Sequence, residues 1–235
     1  MIQVLIFDAD HTLLEFDDDE KRAFALAFAD FGVTLSPEDC SACRDYSYAC
    51  WAELGLNDVH KREIQQSYHD LYRGYVPVLC SELCRRYGVE RQERGVTEKF
   101  LEYLSLPSHL IGRAKDTLSR LRGRYRICIA TNGLKDMQTS RLKELLPYTD
   151  RLFISEELSC IKPQREFFER MTRELGVLPQ DCLMIGDSLS SDVAGAVAVG
   201  MKSCWFNRFA LPNEKPFSPD YEISAIEQVE ELLIT

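Results

Sequence analysis

MIQVLIFDADHTLL, residues 1–14, is the stretch from which the rest of the chain is read. Ile2 to Phe7 is almost wholly apolar, and Asp8 and Asp10 end it abruptly. A short apolar run without polar alternation is a strand buried on both faces, as in a parallel sheet covered by helices. Ile127 to Ala130, Leu183 to Ile185 and Ser203 to Phe206 have the same character, and Leu152 to Ile154 is a weaker example. Helical patterns separate them at Ile111 to Leu121, Lys135 to Leu145, Gln164 to Leu175 and Ser190 to Val199. Strands alternating with helices of this length imply βαβ units and a parallel sheet. Tyr221 to Ile223 reads as an edge strand, and Ser224 as the cap of a last helix carrying Ile226, Val229, Leu232 and Leu233.

Between the first strand and the rest of this pattern the rhythm breaks. Asp17 to Leu106 contains no convincing strand, only helical stretches at Asp18 to Phe31, Pro37 to Leu54, His60 to Tyr87 and Gly95 to Leu104. Ser36 followed by Glu38 and Asp39 suits a helix start. An all-helical module of roughly 90 residues, within the size of a domain, is therefore inserted into an α/β domain.

Composition narrows the functional classes. The 235 residues are 45% hydrophobic and 28% charged, ordinary values for a globular protein. Lys and Arg number 28 against 38 Asp and Glu, a net charge of −10. That surface repels a phosphate backbone and an anionic membrane, so neither nucleic acid nor membrane is an expected partner. No run approaches the ~18 apolar residues of a membrane span. The N-terminus lacks the basic start and small-residue cleavage site of a signal peptide. Nine scattered cysteines, an odd count, point to a reducing cytoplasm.

Four segments carry candidate chemistry, each at the C-terminal end of an expected strand, where open α/β sheets bind ligands. In Asp8-Ala9-Asp10-His11-Thr12, one carboxylate can attack phosphorus and the other can protonate a leaving group. Taken alone, the pair also reads as a polar loop end. Thr131-Asn132-Gly133 offers a hydroxyl and backbone N–H groups for an anion, or an ordinary helix cap. Lys162, before Pro163, can neutralise phosphate as a point charge, or is a surface lysine. Gly186-Asp187 with Asp192 offers, together with Asp8, hard oxygen ligands for Mg²⁺, or the cap of the next helix.

Taken in order, Asp8-Ala9-Asp10-His11-Thr12, Thr131-Asn132-Gly133, Lys162-Pro163 and Gly186-Asp187 with Asp192 resemble the haloacid dehalogenase superfamily of phosphohydrolases. The inserted module is similar to that superfamily's helical cap. More narrowly, Phe7 to Asp10 with Leu13-Leu14, Ile154-Ser155-Glu156-Glu157 and Cys204-Trp205-Phe206-Asn207 resemble its pyrimidine and non-canonical nucleoside monophosphate 5′-nucleotidases. The resemblance implies an α/β, Rossmann-like parallel-sheet core at residues 1–16 and 107–235, with the cap at 17–106. It implies a Mg²⁺-dependent phosphomonoester hydrolase acting through an aspartyl-phosphate on small phosphorylated metabolites, as a monomer or homodimer. Asp8 is then nucleophile and metal ligand. Asp10 is general acid and then general base, its carbonyl also binding metal. Ala9, Thr131, Asn132 and Gly133 hold phosphate, and Lys162 links it to the nucleophile. Asp187 binds Mg²⁺, and Asp192 supports a metal-bound water. His11 stands where the superfamily often has Gly, which bears on substrate shape.

Dehalogenases lack the second acid, so Asp10 argues for phosphoryl transfer. Phosphonatases need a cap lysine, and Lys21 reads as a solvated helix residue. Sugar-phosphate and phosphoglycolate-type phosphatases and phosphomutases share the catalytic set. From another class, a low-turnover regulatory protein binding Mg²⁺ and phosphate would have no need of the proton donor. Among the cap aromatics Phe16, Tyr46, Trp51, Tyr68, Tyr72 and Tyr75, most read as core, and Phe16 is the expected substrate contact. His11 is a second candidate contact. Cys40 and Cys43 have zinc-like spacing, but Cys43, Tyr46, Cys50 and Leu54 read better as one apolar helix face.

Overall fold

The computed structural model describes residues 1–233. Its strands are β1 (Val4–Phe7), β2 (Arg126–Thr131), β3 (Arg151–Ile154), β4 (Cys182–Gly186), β5 (Lys202–Phe206) and β6 (Tyr221–Ile223). They form one parallel sheet in the order β3-β2-β1-β4-β5-β6. This doubly wound order reverses direction between β1 and β4, which creates a crevice beyond their carboxyl ends. Phe7 pairs with Ile129 on one side and Ile185 on the other.

The unbroken apolar runs follow from burial on both faces. Leu5, Phe7, Ile127, Ile129, Leu183 and Ile185 project to one face, where Leu118 and Leu121 of α5 (Ala114–Leu121) cover them. Val4, Ile6, Cys128, Ala130 and Met184 project to the other, against Phe167, Phe168 and Met171 of α8 (Arg165–Leu175). The remaining helices of this unit are α6 (Lys135–Arg141), α7 (Ser155–Leu158), α9 (Ala194–Val199) and α10 (Val229–Leu232).

The chain divides into two compact units, Met1–Glu15 with the chain from His109 onward, and Phe16–Ser108. The second unit is helical throughout: α1 (Phe16–Ala29), α2 (Pro37–Glu53), α3 (Arg62–Arg86) and α4 (Glu93–Leu104). Phe24 of α1 stacks on Phe100 of α4 with ring centroids 4.4 Å apart. Ser36 begins α2 with a reciprocal cap: its hydroxyl accepts from Asp39 N at 3.1 Å, and Asp39 accepts from Ser36 N at 3.0 Å. Those bonds hold the Asp39 carboxyl below its usual range. Among the described residues, no helix is long and apolar enough to cross a membrane.

Several local expectations change. The helix from Lys135 ends at Arg141 rather than running to Leu145. The segment from Ser190 begins as one π turn, Leu189–Val193, before α9. Ser224 is not the terminal cap: Ala225 holds that position, and the Gln228 side chain accepts from both Ser224 N and Ala225 N. The buried face of α2 is Cys40, Cys43, Ser47 and Cys50, while Leu54 is exposed.

Candidate active site

Asp8 follows β1 directly, and its N–H donates to Ile185 O at 2.8 Å, extending the β1–β4 ladder by one bond. Its side chain therefore emerges at the reversal point of the sheet. Lys162 reaches it from the loop between β3 and α8. Lys162 is 2% exposed, and its ammonium donates to Asp8 Oδ1 at 2.5 Å, Asp192 Oδ1 at 2.7 Å and Ala130 O at 2.8 Å. An ammonium has three donors, so it is fully satisfied. The residue that read alone as a possible surface lysine is buried and bonded to two acids, Asp8 among them.

Asn132 sets that lysine's place. Its Nδ2 donates to Lys162 O at 2.8 Å, and its Oδ1 accepts from Lys162 N at 2.7 Å. The Asn132 side chain thus acts as a clasp between two loops, a role not expected from the sequence.

The β4 end carries the other acids. Gly186 leaves room for Asp192: a Cβ there would clash with the Asp192 carboxylate. Asp192 lies inside the π turn rather than capping it; Ser188 is the cap, accepting from Ser191 N at 3.2 Å. Asp192 Oδ2 accepts from Ser188 N at 3.1 Å. Trp205 Nε1 donates to Asp187 O at 2.8 Å, fixing the turn after β4. Thr12, fully buried, accepts from Asp187 N at 3.0 Å, and its hydroxyl lies 3.3 Å from Asp187 Oδ1 and 3.5 Å from Asp8 Oδ2. Thr12 and Trp205 lie within motifs already quoted, but their structural roles were not anticipated.

Asp8, Asp187 and Asp192 each offer a carboxylate oxygen within 4.8 Å of the others. Three carboxylates against one ammonium leave surplus negative charge in a poorly solvated place. Burial pushes Asp8 up to about 7 despite Lys162, and pushes Asp187 up to about 6, with the Asp8 charge adding to it. Asp192 is raised for the same reason. Burial works against the Lys162 charge, but Asp192 and Asp8 outweigh it and raise its pKa. A hard divalent cation such as Mg²⁺ fits this donor set, since it takes one or two carboxylates and keeps water on its other positions. Asp192 accepts close bonds at both oxygens, and its side chain is 1% exposed. The Asp8 side chain is 11% exposed and its Oδ2 has only the 3.5 Å contact with Thr12, so Asp8 and Asp187 are the better placed ligands.

Asp10 lies apart from this cluster. Its side chain is 25% exposed and is held from α6: Arg141 Nη1 donates to Oδ1, and Gln138 Nε2 donates to Oδ2 at 2.6 Å. The Gln138 amide also donates to Thr131 Oγ1 at 2.8 Å. Neither residue was expected in the site. The available signal was a Gln and an Arg on the inward face of a helix, because a buried arginine requires a partner. Gly133 is not part of the helix start; α6 begins two residues later, and Lys135 N donates to Glu156 Oε2 at 2.6 Å. A Cβ at Gly133 would clash with the Gln138 side chain. His11 adopts φ 61°, in the left-handed region. Ala9 is fully buried. Phe16 is half-buried and opens α1 in the helical unit.

A doubly wound α/β sheet here carries a buried carboxylate–lysine centre at its reversal point, with Asp10 held separately from α6. Residues 2–200 match the haloacid dehalogenase-like hydrolase family, and the chain belongs to it. The pyrimidine 5′-nucleotidase PynA of Streptococcus pneumoniae is 33% identical over 227 residues, 93% of this chain and 90% of that protein. The pyrimidine 5′-nucleotidase YjjG of Escherichia coli is 27% identical over 232 residues, 97% of this chain and 96% of that one. Among solved structures, the HAD-hydrolase YfnB of Bacillus subtilis, bound to magnesium, aligns with a TM-score of 0.83 at 27% identity. That alignment covers 100% of this chain and 99% of that one.

Proposed function

We propose that this enzyme is a Mg²⁺-dependent phosphomonoester hydrolase that works through a phosphorylated Asp8, with pyrimidine nucleoside 5′-monophosphates as its leading substrate class. The observation that carries the reading is Asp8 itself, buried at the end of β1, bonded to Lys162 and beside Asp187. The substrate class is supported by likeness to the two pyrimidine 5′-nucleotidases.

An Asp8 oxygen attacks phosphorus, the bond to the ester oxygen breaks, and Asp10 gives that oxygen a proton. Asp10 then takes a proton from water, which attacks phosphorus and displaces Asp8. Lys162 holds the nucleophile in place and balances charge as the anionic ester approaches. Thr131, linked to Gln138, and the backbone of Asn132 are assigned to the phosphate oxygens. Asp8 and Asp187 would hold Mg²⁺, which supplies positive charge against the phosphate when bound. Nine unpaired, buried cysteines support a reducing, cytoplasmic setting.

The test is phosphate release across a panel of nucleoside monophosphates, sugar phosphates and phosphoglycolate with Mg²⁺. Pyrimidine nucleotides are expected to have the highest kcat/KM; sugar phosphates ranking first would overturn the substrate class. Asp8→Asn is expected to lose about 10⁴-fold or more in kcat, because an amide is no nucleophile. Retained turnover in that variant would mean another residue attacks phosphorus.

A further inference from the structure

We propose that Gln138 and Arg141 are a two-point positioning clamp for Asp10, and that the direction they impose on its carboxylate lets the enzyme expel poor leaving groups. The inference rests on the reading of Asp10 as proton donor.

Two donors from one helix face hold the two carboxylate oxygens separately. Arg141 takes Oδ1, and Gln138 takes Oδ2 at 2.6 Å. A carboxylate held at one oxygen still rotates about its Cβ–Cγ bond; one held at both does not. The donors themselves are constrained. Arg141 is 1% and Gln138 also 1% exposed, so core packing limits both side chains. The Gln138 side chain lies across Gly133, where any larger residue would displace it. The same Gln138 amide bonds Thr131 Oγ1 at 2.8 Å, tying the assigned phosphate-holding hydroxyl to the proton donor.

Packing alone does not explain this choice of residues. The inward face of α6 also carries Met137, and an apolar side chain at 141 would fill space without the cost of burying a guanidinium. Asp10 retains its outlet, since its side chain is 25% exposed while both clamp residues are closed off. The result is a carboxylate fixed in direction with one side open.

Leaving-group chemistry separates aim from mere support. When the ester bond breaks, its electron pair goes to the leaving oxygen. A departing alkoxide, as from a nucleoside 5′-monophosphate, is strongly basic and needs the Asp10 proton in the same step. A departing 4-nitrophenolate is stable as an anion and does not. The value of kcat/KM covers events through the first irreversible step, departure of the leaving group, so the later hydrolysis of phosphorylated Asp8 does not enter it.

The experiment measures kcat/KM for uridine 5′-monophosphate and for 4-nitrophenyl phosphate, with Mg²⁺, in the wild type and in Gln138→Leu, Arg141→Lys, Arg141→Met and Asp10→Asn. Gln138→Leu and Arg141→Met are expected to lose about 10- to 100-fold on the alkyl ester and to keep most of their rate on the aryl ester. Arg141→Lys, which keeps the charge, is expected to fall between them and the wild type. Thermal melting identifies the variants that fold; if Arg141→Met does not, Gln138→Leu removes no charge and carries the comparison. Equal losses on both esters in folded variants would overturn the clamp and leave a structural role. An unchanged alkyl-to-aryl ratio in an active Asp10→Asn would overturn it by removing its premise. Failure of the wild type on both esters would instead refute the proposed function.

Discussion

Both units of this protein bury carboxylates, and they treat them differently. In the helical unit, Asp19 has its own partner, Arg22, three residues on and 3.1 Å away. Glu20, 4% exposed, accepts from the Ser47 hydroxyl at 2.5 Å. Asp19 is matched by a cation and Glu20 by a neutral donor, and neither shares its partner with a second buried acid among the described residues. In the α/β unit, Asp8 and Asp192 share one lysine and Asp187 stands beside them. Burial and mutual repulsion raise all three above the usual carboxylate range. Separately partnered acids of this kind serve the fold. Surplus charge is an arrangement that packing alone would remove, and it fits the cation and phosphate of the proposed reaction.

The strongest way to break that contrast is to remove the shared lysine. Lys162→Met leaves Asp8 and Asp192 buried without their common partner, and the expected loss is about 3–5 kcal/mol of stability, read by urea unfolding in chelator. A loss below about 1 kcal/mol would show that the centre is not held by its charges.

Acidity tests the same surplus without a mutation. With Asp8 near 7 and Asp187 near 6 in the folded chain, against an ordinary value of 3.8, the native state binds more protons than the unfolded state between these limits. Stability of the metal-free protein is therefore expected to fall as pH rises from about 5 to about 7. The carboxylates held low, Asp39, Asp58 and Asp220, act below their ordinary value and so outside this window. Mg²⁺ binds the ionised acids, so adding it is expected to flatten the slope. Chemical denaturation at stepped pH, with and without Mg²⁺, reads both effects. A metal-free slope of the opposite sign would mean that the acids are compensated after all.

The same contrast explains what the sequence made legible. Strands such as Val4–Phe7 and Cys182–Gly186 stand out because both faces are buried and nothing polar interrupts them. Arg151–Ile154 is fainter because it is an edge strand that begins with an exposed arginine. Asp8, Lys162, Asp187 and Asp192 could be anticipated as a group because each follows a strand at one edge of the sheet. The supports of that group could not. Asn132 works through a side chain whose partner lies 30 residues on, a pairing that spacing does not encode. Gln138 and Arg141 sit in a segment that reads as an ordinary amphipathic helix, and only the three-dimensional position of Asp10 gives them a purpose. The π turn at Leu189–Val193 likewise follows from the fit of Asp192 against Gly186, not from local propensity.

The smallest expected effect lies in the helical unit. Tyr75, 5% exposed, has its hydroxyl against the Ser47 hydroxyl and donates to Ser47 O at 3.2 Å. Its ring meets Trp51 edge-on at 5.3 Å. Tyr75→Phe keeps the ring and its packing and removes only a neutral hydrogen-bonding group. The expected loss is about 1 kcal/mol, a fall of roughly 2–4 °C in Tm for a chain of this size. A loss as large as that of Lys162→Met would place a charge-dependent network in both units and erase the distinction between them. A loss near 1 kcal/mol, unaffected by Mg²⁺, would confine the cation-dependent balance to the end of the sheet.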